Sequence, residues 1–283
     1  MFITRNSLRI VATVLAKNEE DIIAANIEHH LAQGVSRIIL TDNGSTDKTK
    51  EIASRYKEVE IIDEPGDDHR QSEWVTRMAR LACKFDPDWI VHLDADELWC
   101  GLNSLRAVKA KAFGSTKMFL HPPVGGPFDL FGMSKYLDFE AVPNLPGECK
   151  VGHRPDPEIV VTHGNHGFMN CSDVEYTKDV WRHHYPVRSL EQFRKKTVDG
   201  HTALKKRNAI CERWERWYNL NSRGELGNLY SQICDSWRKY VEGPNLGDLV
   251  ELLRFWSTSE VLDLFINQCT LPTIGEWPRS SNA

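Results

Sequence analysis

LRIVATVL at Leu8–Leu15, RIILT at Arg37–Thr41 and VEIID at Val59–Asp63 are three short apolar runs. A helix fits in each of the two gaps between them. Runs this short and this apolar read as strands buried on both faces, the habit of a parallel sheet. In the first gap, Ile22, Ile23, Ile27, His30 and Leu31 recur at helical spacing and Gly34 supplies the stop. In the second, the turn Asp42-Asn43-Gly44-Ser45-Thr46-Asp47 leads into a helix over Lys48 to Tyr56. Strand, helix, strand, helix, strand implies right-handed crossovers and an α/β fold.

The next apolar run outward is Trp89-Ile90-Val91-His92-Leu93-Asp94-Ala95-Asp96-Glu97-Leu98-Trp99, which ends in three carboxylates. Residues i and i+2 of a strand share a face, so Asp94 and Asp96 are expected to project together with Ala95 turned away. Such a pair can share a hard divalent cation that keeps positions open for phosphate oxygens. An isolated Asp-x-Asp also occurs as a solvated turn. Sites in parallel sheets lie beyond the carboxyl ends of the strands. Lys17-Asn18-Glu19, Asp42 to Asp47 and Asp94 to Glu97 all occupy such ends, and their convergence favours a site.

The 283 residues suffice for one large α/β domain with a helical appendage. A net charge of −5 argues against general nucleic-acid binding, which needs a basic surface. No run approaches the roughly 20 apolar residues of a membrane span, and Met1 to Arg9 lacks a signal-peptide core. Seven Cys without C-x-x-C spacing fit reduced thiols in a cytoplasmic protein rather than a disulfide frame or zinc site.

Between the strands, Trp74, Met78, Leu81 and Phe85 line a core-facing helix, and Arg70 stands at its start. Arg70 is placed either to grip a phosphate or nucleotide or to form a surface salt bridge. Lys117 to His121 and Ile159 to Thr162 read as strands, separated by a Gly- and Pro-rich stretch over residues 125–157. Ser189 and Gln192 have capping-box spacing for a helix that carries Arg194, Lys195 and Lys196. From Leu204 the chain reads as helical to its end. Ile210, Trp214, Trp217 and Tyr218 line one stretch; Leu229, Tyr230, Ile233, Trp237 and Tyr240 line another. These aromatics read as packing faces, with a partner or lipid surface as the other reading.

The motifs Ala16-Lys17-Asn18-Glu19, Asp42-Asn43-Gly44-Ser45-Thr46-Asp47-Lys48-Thr49 and Leu93-Asp94-Ala95-Asp96-Glu97 together resemble family 2 glycosyltransferases. The branch concerned carries K-N-E, D-N-x-S-x-D and L-D-x-D-E. The resemblance is strong over about residues 8–100, weaker at Lys150 to Pro155, His163 to His166 and His184 to Lys195, and absent from the last seventy residues. It implies a GT-A fold: a mixed, mostly parallel Rossmann-like sheet with helices on both faces, plus a C-terminal helical extension. The expected organisation is a GT-A domain over 1–200, with a nucleotide-binding half at about 8–100 and an acceptor half at about 101–200, followed by a packed helical extension over 201–279.

The resemblance also implies a nucleotide-diphosphate sugar as donor and manganese or magnesium as cofactor. Ala16, Glu19, Asp42 and Asn43 are then expected to hold the nucleoside, with Arg70, Asp94, Arg188 and Lys195 as further donor contacts. The metal set is expected to be Asp94, Asp96 and His184, with His166 competing for the last place. Asn43 replaces the second acidic residue common in this turn, which leaves the nucleobase open. Inversion by direct displacement needs a base for the acceptor hydroxyl. Asp156, Glu158, Asp129, Glu148 and His166 are candidates, with His166 and Asp156 preferred. A glycan or a lipid-linked sugar is the favoured acceptor, and peripheral membrane contact stays open. Two competing readings are a nucleotidyl- or phosphotransferase using the same carboxylates and a non-catalytic nucleotide-sugar binder. The acidic Lys17-Asn18-Glu19-Glu20 turn disfavours the former, and the intact carboxylates disfavour the latter.

Overall fold

The computed structural model describes residues 7–65, 70–121, 123, 135–140, 149–206, 210, 212–243 and 273–276. The chain forms two compact units. The first comprises Met1–Met118 and Glu140–His184; the second comprises Phe119–Phe139 and Tyr185–Ala283. The first unit thus ends at His184, whereas residue 200, the expected boundary, lies inside the helix Leu190–Lys206.

Four parallel strands form the centre of the first unit: β1 (Ile10–Ala16), β2 (Val35–Asp42), β3 (Val59–Asp63) and β4 (Trp89–Asp94). They are joined by α1 (Ile23–Ala32), α2 (Thr49–Ala53) and α3 (Gln71–Ala82). β5 (Glu97–Cys100), β6 (Ala112–Leu120), β8 (Lys150–His153) and β9 (Val174–His184) complete the unit's sheet. The order is β3-β2-β1-β4-β8-β6, and β9 pairs with β5 and β6. β8 runs antiparallel to both β4 and β6, and β9 antiparallel to β5. This mixed, mostly parallel sheet with helices on both faces is the GT-A arrangement expected above.

The strand period of two divides the core between those faces. Ala12, Val14, Ile38, Leu40, Val91 and Leu93 face α1, meeting Ile23 and Ile27. Val11, Ile39 and Ile90 face α3, meeting Val75, Met78 and Ala79. Each fully buried aliphatic side chain here contributes about 1.5–3 kcal/mol. Gly34, at φ +92, ends α1 in the left-handed region that glycine enters without steric cost.

In the second unit β7 (Lys135–Glu140) pairs antiparallel with β10 (Thr273–Glu276). Three helices follow the first unit in sequence: α4 (Leu190–Lys206), α5 (Glu212–Ser222) and α6 (Leu226–Glu242). Ser189 Oγ accepts from Gln192 N at 3.1 Å, as capping predicts, while Gln192 Oε1 reaches one residue further back, to Arg188 N at 3.1 Å. Leu229, Tyr230, Ile233, Trp237 and Tyr240 are all buried along α6. No helix among the described residues is long and apolar enough to cross a membrane.

Two expectations change, and one strand appears that the sequence reading did not include. The tail is not helical throughout, because Thr273–Glu276 completes a strand pair whose partner lies over 130 residues earlier. Ile159 to Thr162 is no strand; only an isolated bridge joins Val161 to Phe168. β9 is an eleven-residue strand that hydropathy hides, since Glu175, Lys178 and Asp179 are exposed along it.

Candidate active site

Strand register brings three of the expected residues together. Ala16 pairs with Asp42, and Leu15 pairs with both Thr41 and Asp94. Asp42 and Asp94 therefore flank the end of β1 from its two sides, about 10 Å apart at two strand spacings. Asn43 N donates to Ala16 O at 2.9 Å, which ties the β2 end to the β1 end.

The two polar turns beyond these strands are knitted together. Asn18, at φ +57, accepts from Thr46 N at 2.8 Å through its side chain and donates its own N–H to Ser45 Oγ at 3.0 Å. Glu19 N donates to Thr49 Oγ1 at 2.8 Å. Asp47 is spent on structure, since its Oδ1 accepts from Thr49 N at 2.9 Å at the start of α2. Asp42 Oδ2 accepts from Ser45 N at 3.2 Å, but Asp42 Oδ1 and Asn43 Oδ1 are buried without a partner among the described residues. A buried acceptor left without a donor is costly, and both oxygens suit a donor from outside the chain.

The Asp94–Glu97 run departs from the expectation of one shared face. β4 ends at Asp94, residues 95 and 96 turn, and β5 starts at Glu97. The period-two argument holds only inside a strand, so the three carboxylates meet three different partners. Asp94, with its side chain 30% exposed, is bound by Lys150 Nζ and accepts from Asn165 Nδ2 at 3.0 Å. Asp96, 8% exposed, faces His184 Nε2 at 3.7 Å. Glu97, 1% exposed, accepts from Arg182 Nε at 3.1 Å and from Trp99 Nε1 at 3.1 Å. Burial alone raises the Glu97 pKa, but Lys150 and Arg182 outweigh it and hold the carboxyl below its ordinary value. Burial likewise opposes the charge on Lys150, and Asp94 and Glu97 overcome it, so the ammonium stays charged.

The turn itself is clamped by α1. Asn26 Nδ2 lies 3.3, 3.0 and 2.9 Å from the carbonyl oxygens of Asp94, Ala95 and Glu97. One turn on, His30 Nε2 accepts from Trp99 N at 3.0 Å, and His29 Nε2 meets Trp99 O at 2.7 Å. Burial pushes the His30 pKa down to about 3, so His30 stays a neutral acceptor. Neither Asn26, Lys150, Asn165 nor Arg182 is assigned a role by the sequence. Asn26 alone leaves a signal there, as a polar residue on the apolar face that carries Ile23 and Ile27.

β9 brings His184 to Asp96, because antiparallel pairing sets Glu97 opposite His184. Among the described residues no three His, Cys, Asp or Glu side chains are grouped to hold a metal. Asp96 and His184 are close enough for one ion to touch both, while Asp94 is engaged by Lys150 and Asn165. One carboxylate oxygen and one imidazole nitrogen, with open positions beyond them, fit a divalent cation that carries substrate phosphate.

His166 lies in the turn after His163–Asn165, and its Nδ1 is 2.8 Å from Cys149 O. The carbonyl accepts only, which places the ring hydrogen on Nδ1 and the lone pair on Nε2. Burial, reinforced by the Lys150 charge, pushes the His166 pKa down to about 4. Asp156 is elsewhere. β8 runs antiparallel to β4, pairing His153 with Ile90 and Gly152 with Val91, so the chain after His153 passes beyond the amino end of β4. Asp156 there accepts from Glu158 N at 2.9 Å, and Glu158 is exposed. Sequence order places Asp156 near His166; strand direction sends it to the opposite end of β4 from Asp94. Asp129 and Glu148 lie outside the described residues.

Arg70 is exposed, with Nη1 3.3 Å from Glu73 Oε2, and its guanidinium lies 5.9 Å from the Trp74 ring centre. Arg188 and Lys195 belong to the second unit. Arg188 is fully buried with Nη1 donating to Tyr185 O at 3.0 Å, and Lys195 pairs with Glu191 at 3.6 Å on the exposed side of α4.

Residues 12–101, about a third of the chain and the part that builds β1 to β5, match the family model Glycosyl transferase family 2. No curated protein matches the sequence. Among solved structures, S. aureus TarS 1–349 in complex with UDP aligns at 14% identity and TM-score 0.43, over 93% of this chain and 76% of that one. Glucosyl-3-phosphoglycerate synthase from Mycobacterium tuberculosis, in complex with Mn2+, UDP and glucosyl-3-phosphoglycerate, aligns at 21% and 0.31, over 40% and 44%. Mannosyl-3-phosphoglycerate synthase from Rubrobacter xylanophilus aligns at 19% and 0.32, over 41% of each chain, so this chain spans under half of that relative. The matched segment is the one that builds this site, from the end of β1 to the turn at Asp94–Glu97. Residues 12–101 are thus similar to glycosyl transferase family 2, and the similarity is confined to them.

Proposed function

We propose that the protein is a metal-dependent, inverting glycosyltransferase that moves a sugar from a nucleotide-diphosphate donor to an acceptor hydroxyl. The observation that carries this reading is the meeting of Ala16, Asp42 and Asp94 at adjacent strand ends, with the Asp96–His184 pair beside them. Ala16, Glu19, Asp42 and Asn43 would bind the nucleoside, with the two unpartnered oxygens of Asp42 and Asn43 accepting from base or ribose. Asp94, with a partly exposed carboxylate, would accept from donor hydroxyls. Arg70 would contact the donor once its exposed pairing with Glu73 is exchanged.

Asp96 and His184 would hold Mn2+ or Mg2+, which when bound stabilises charge on the departing diphosphate. His166 is the base of choice, because its Nε2 carries a lone pair at neutral pH. The acceptor oxygen attacks the anomeric carbon, its proton passes to Nε2, and the sugar–phosphate bond breaks to release a nucleoside diphosphate. A base whose pKa is near 4 takes that proton only as the new bond forms and the hydroxyl acidifies. A glycan or lipid-linked sugar as acceptor, and a cytoplasmic setting, complete the proposal.

The test is a panel of nucleotide sugars screened by thermal shift with and without Mn2+. One nucleotide class should raise the melting temperature, and more so with the metal; a flat panel would sink the reading. His184→Ala should weaken Mn2+ binding by about 10- to 100-fold in a direct titration, and an unchanged titration would remove His184 from the metal set.

A further inference from the structure

Lys150 is 5% exposed, and its ammonium meets groups from three separate segments. It binds the Asp94 carboxylate, donates to Gly164 O at 2.7 Å, and lies 4.0 Å from Glu97 Oε1. Its chain neighbour Cys149 accepts from the His166 ring at 2.8 Å. Two consecutive residues thus hold both candidate reaction partners, Asp94 through a side chain and His166 through a carbonyl.

The 163–166 turn is shaped to fit this contact. Gly164 and Asn165 both adopt left-handed backbone, at φ 76 and 60. Asparagine enters that region more readily than other side-chain-bearing residues, because its short amide can bond locally. Asn165 is 1% exposed, donates to Asp94 Oδ1 at 3.0 Å, and leaves its own Oδ1 without a partner among the described residues. Gln71 Oε1 accepts from Gly164 N at 3.0 Å. A Cβ on Gly164 would lie 2.4 Å from His166 Cδ2, so the turn is packed directly on the ring.

We propose that Lys150 is a positioning residue: its buried ammonium docks the 163–166 turn onto Asp94 and so fixes His166 relative to the first carboxylate of the D-A-D run. Taking an ammonium out of water is costly, and carboxylates with a carbonyl compensate it here. A partly exposed Asp94 could be solvated instead, so the geometry is best explained by what Lys150 joins. The inference rests on reading Asp94 and His166 as the donor and acceptor sides of one reaction.

The experiment compares Lys150→Met, Asp94→Asn and the double variant by amide hydrogen exchange at Gly164, Asn165 and His166, and by the NMR titration of the His166 ring. Lys150→Met should speed exchange at these amides by at least about tenfold. It should also raise the His166 midpoint from about 4, since a neighbouring cation is gone. The double variant should exchange more slowly than Lys150→Met, because the orphaned carboxylate is gone too. Should Lys150→Met fail to fold, Asp94→Asn alone carries the test through faster exchange in the same turn. Unchanged exchange in Asp94→Asn, or an unmoved His166 midpoint in a folded Lys150→Met, overturns the proposal. None of these measurements uses a substrate, so their failure is separate from failure of the nucleotide-sugar panel.

Discussion

The two sides of the candidate site are built differently. On the side proposed to bind the donor, Ala16, Asp42 and Asp94 follow directly from buried parallel strands, each placed by the apolar run before it. On the other side, Lys150, Asn165, His166, Arg182 and His184 come from antiparallel strands and a left-handed turn. Lys150, Asn165, Arg182 and His184 are placed by partners 56 to 87 residues away, such as Asp94 for Lys150 and Glu97 for His184, while His166 is held by Cys149 O, 17 residues away. Hydrophobic burial thus sets the first group, while buried charge compensation sets the second. A site made this way tolerates changes in loops around the donor strands but not the loss of one charge in the network, since an unpaired buried ion is strongly destabilising.

The largest effect expected from breaking this arrangement is on chemistry. Asp96→Ala should lower metal-dependent donor turnover by at least about a hundredfold while leaving the circular dichroism spectrum unchanged. Full activity in that variant would disconnect Asp96 from the reaction. Asn26→Leu attacks the clamp under the same turn and leaves the carbonyls of Asp94, Ala95 and Glu97 without their shared donor. It should cost about 3 kcal/mol in urea unfolding, given about 1–3 kcal/mol per unsatisfied buried group. A cost near zero would show that the turn holds its shape unaided.

Acid sharpens the contrast further. His92 and His153 stack at 5.1 Å in the core against α3, and burial lowers both, His153 to about 4 and His92 well below its ordinary 6.5. Such a histidine takes up its proton more readily unfolded than folded. Stability is therefore complete above about pH 6.5 and falls as pH drops from there, for His153 down to its folded value of about 4, by about 1.4 kcal/mol per pH unit for each histidine. Urea midpoints across pH 4–7 should show this slope, and His153→Gln should make it shallower while His92 keeps the rest. The smallest expected effect is on the surface: Arg70→Ala removes an exposed pair with Glu73 and should change stability by less than about 0.5 kcal/mol. Any larger loss would mean that Arg70 supports the fold and not a ligand.

Much of the donor half is readable from local pattern. Val59–Asp63 is the strand its composition predicts, Gly34 ends its helix, and the three polar turns stand at strand ends. β9 is not readable, because one face carries charge and its burial is set by β5 and β6. Asp156 misleads for a related reason: proximity in sequence to a site says nothing once a strand reverses direction. Asp94 and Asp96 mislead more subtly, since a turn between them breaks the alternation that a strand imposes.

The sequence by itself determined the α/β class, the parallel strands, and the carboxylates at their ends, because burial of short apolar runs and turn chemistry act over a few residues. Tertiary structure alone decided which cation meets which carboxylate: Lys150 with Asp94, His184 with Asp96, Arg182 with Glu97. Those pairings depend on strand direction and register over long separations, and the cost of burying a charge makes each of them obligatory once the strands have paired.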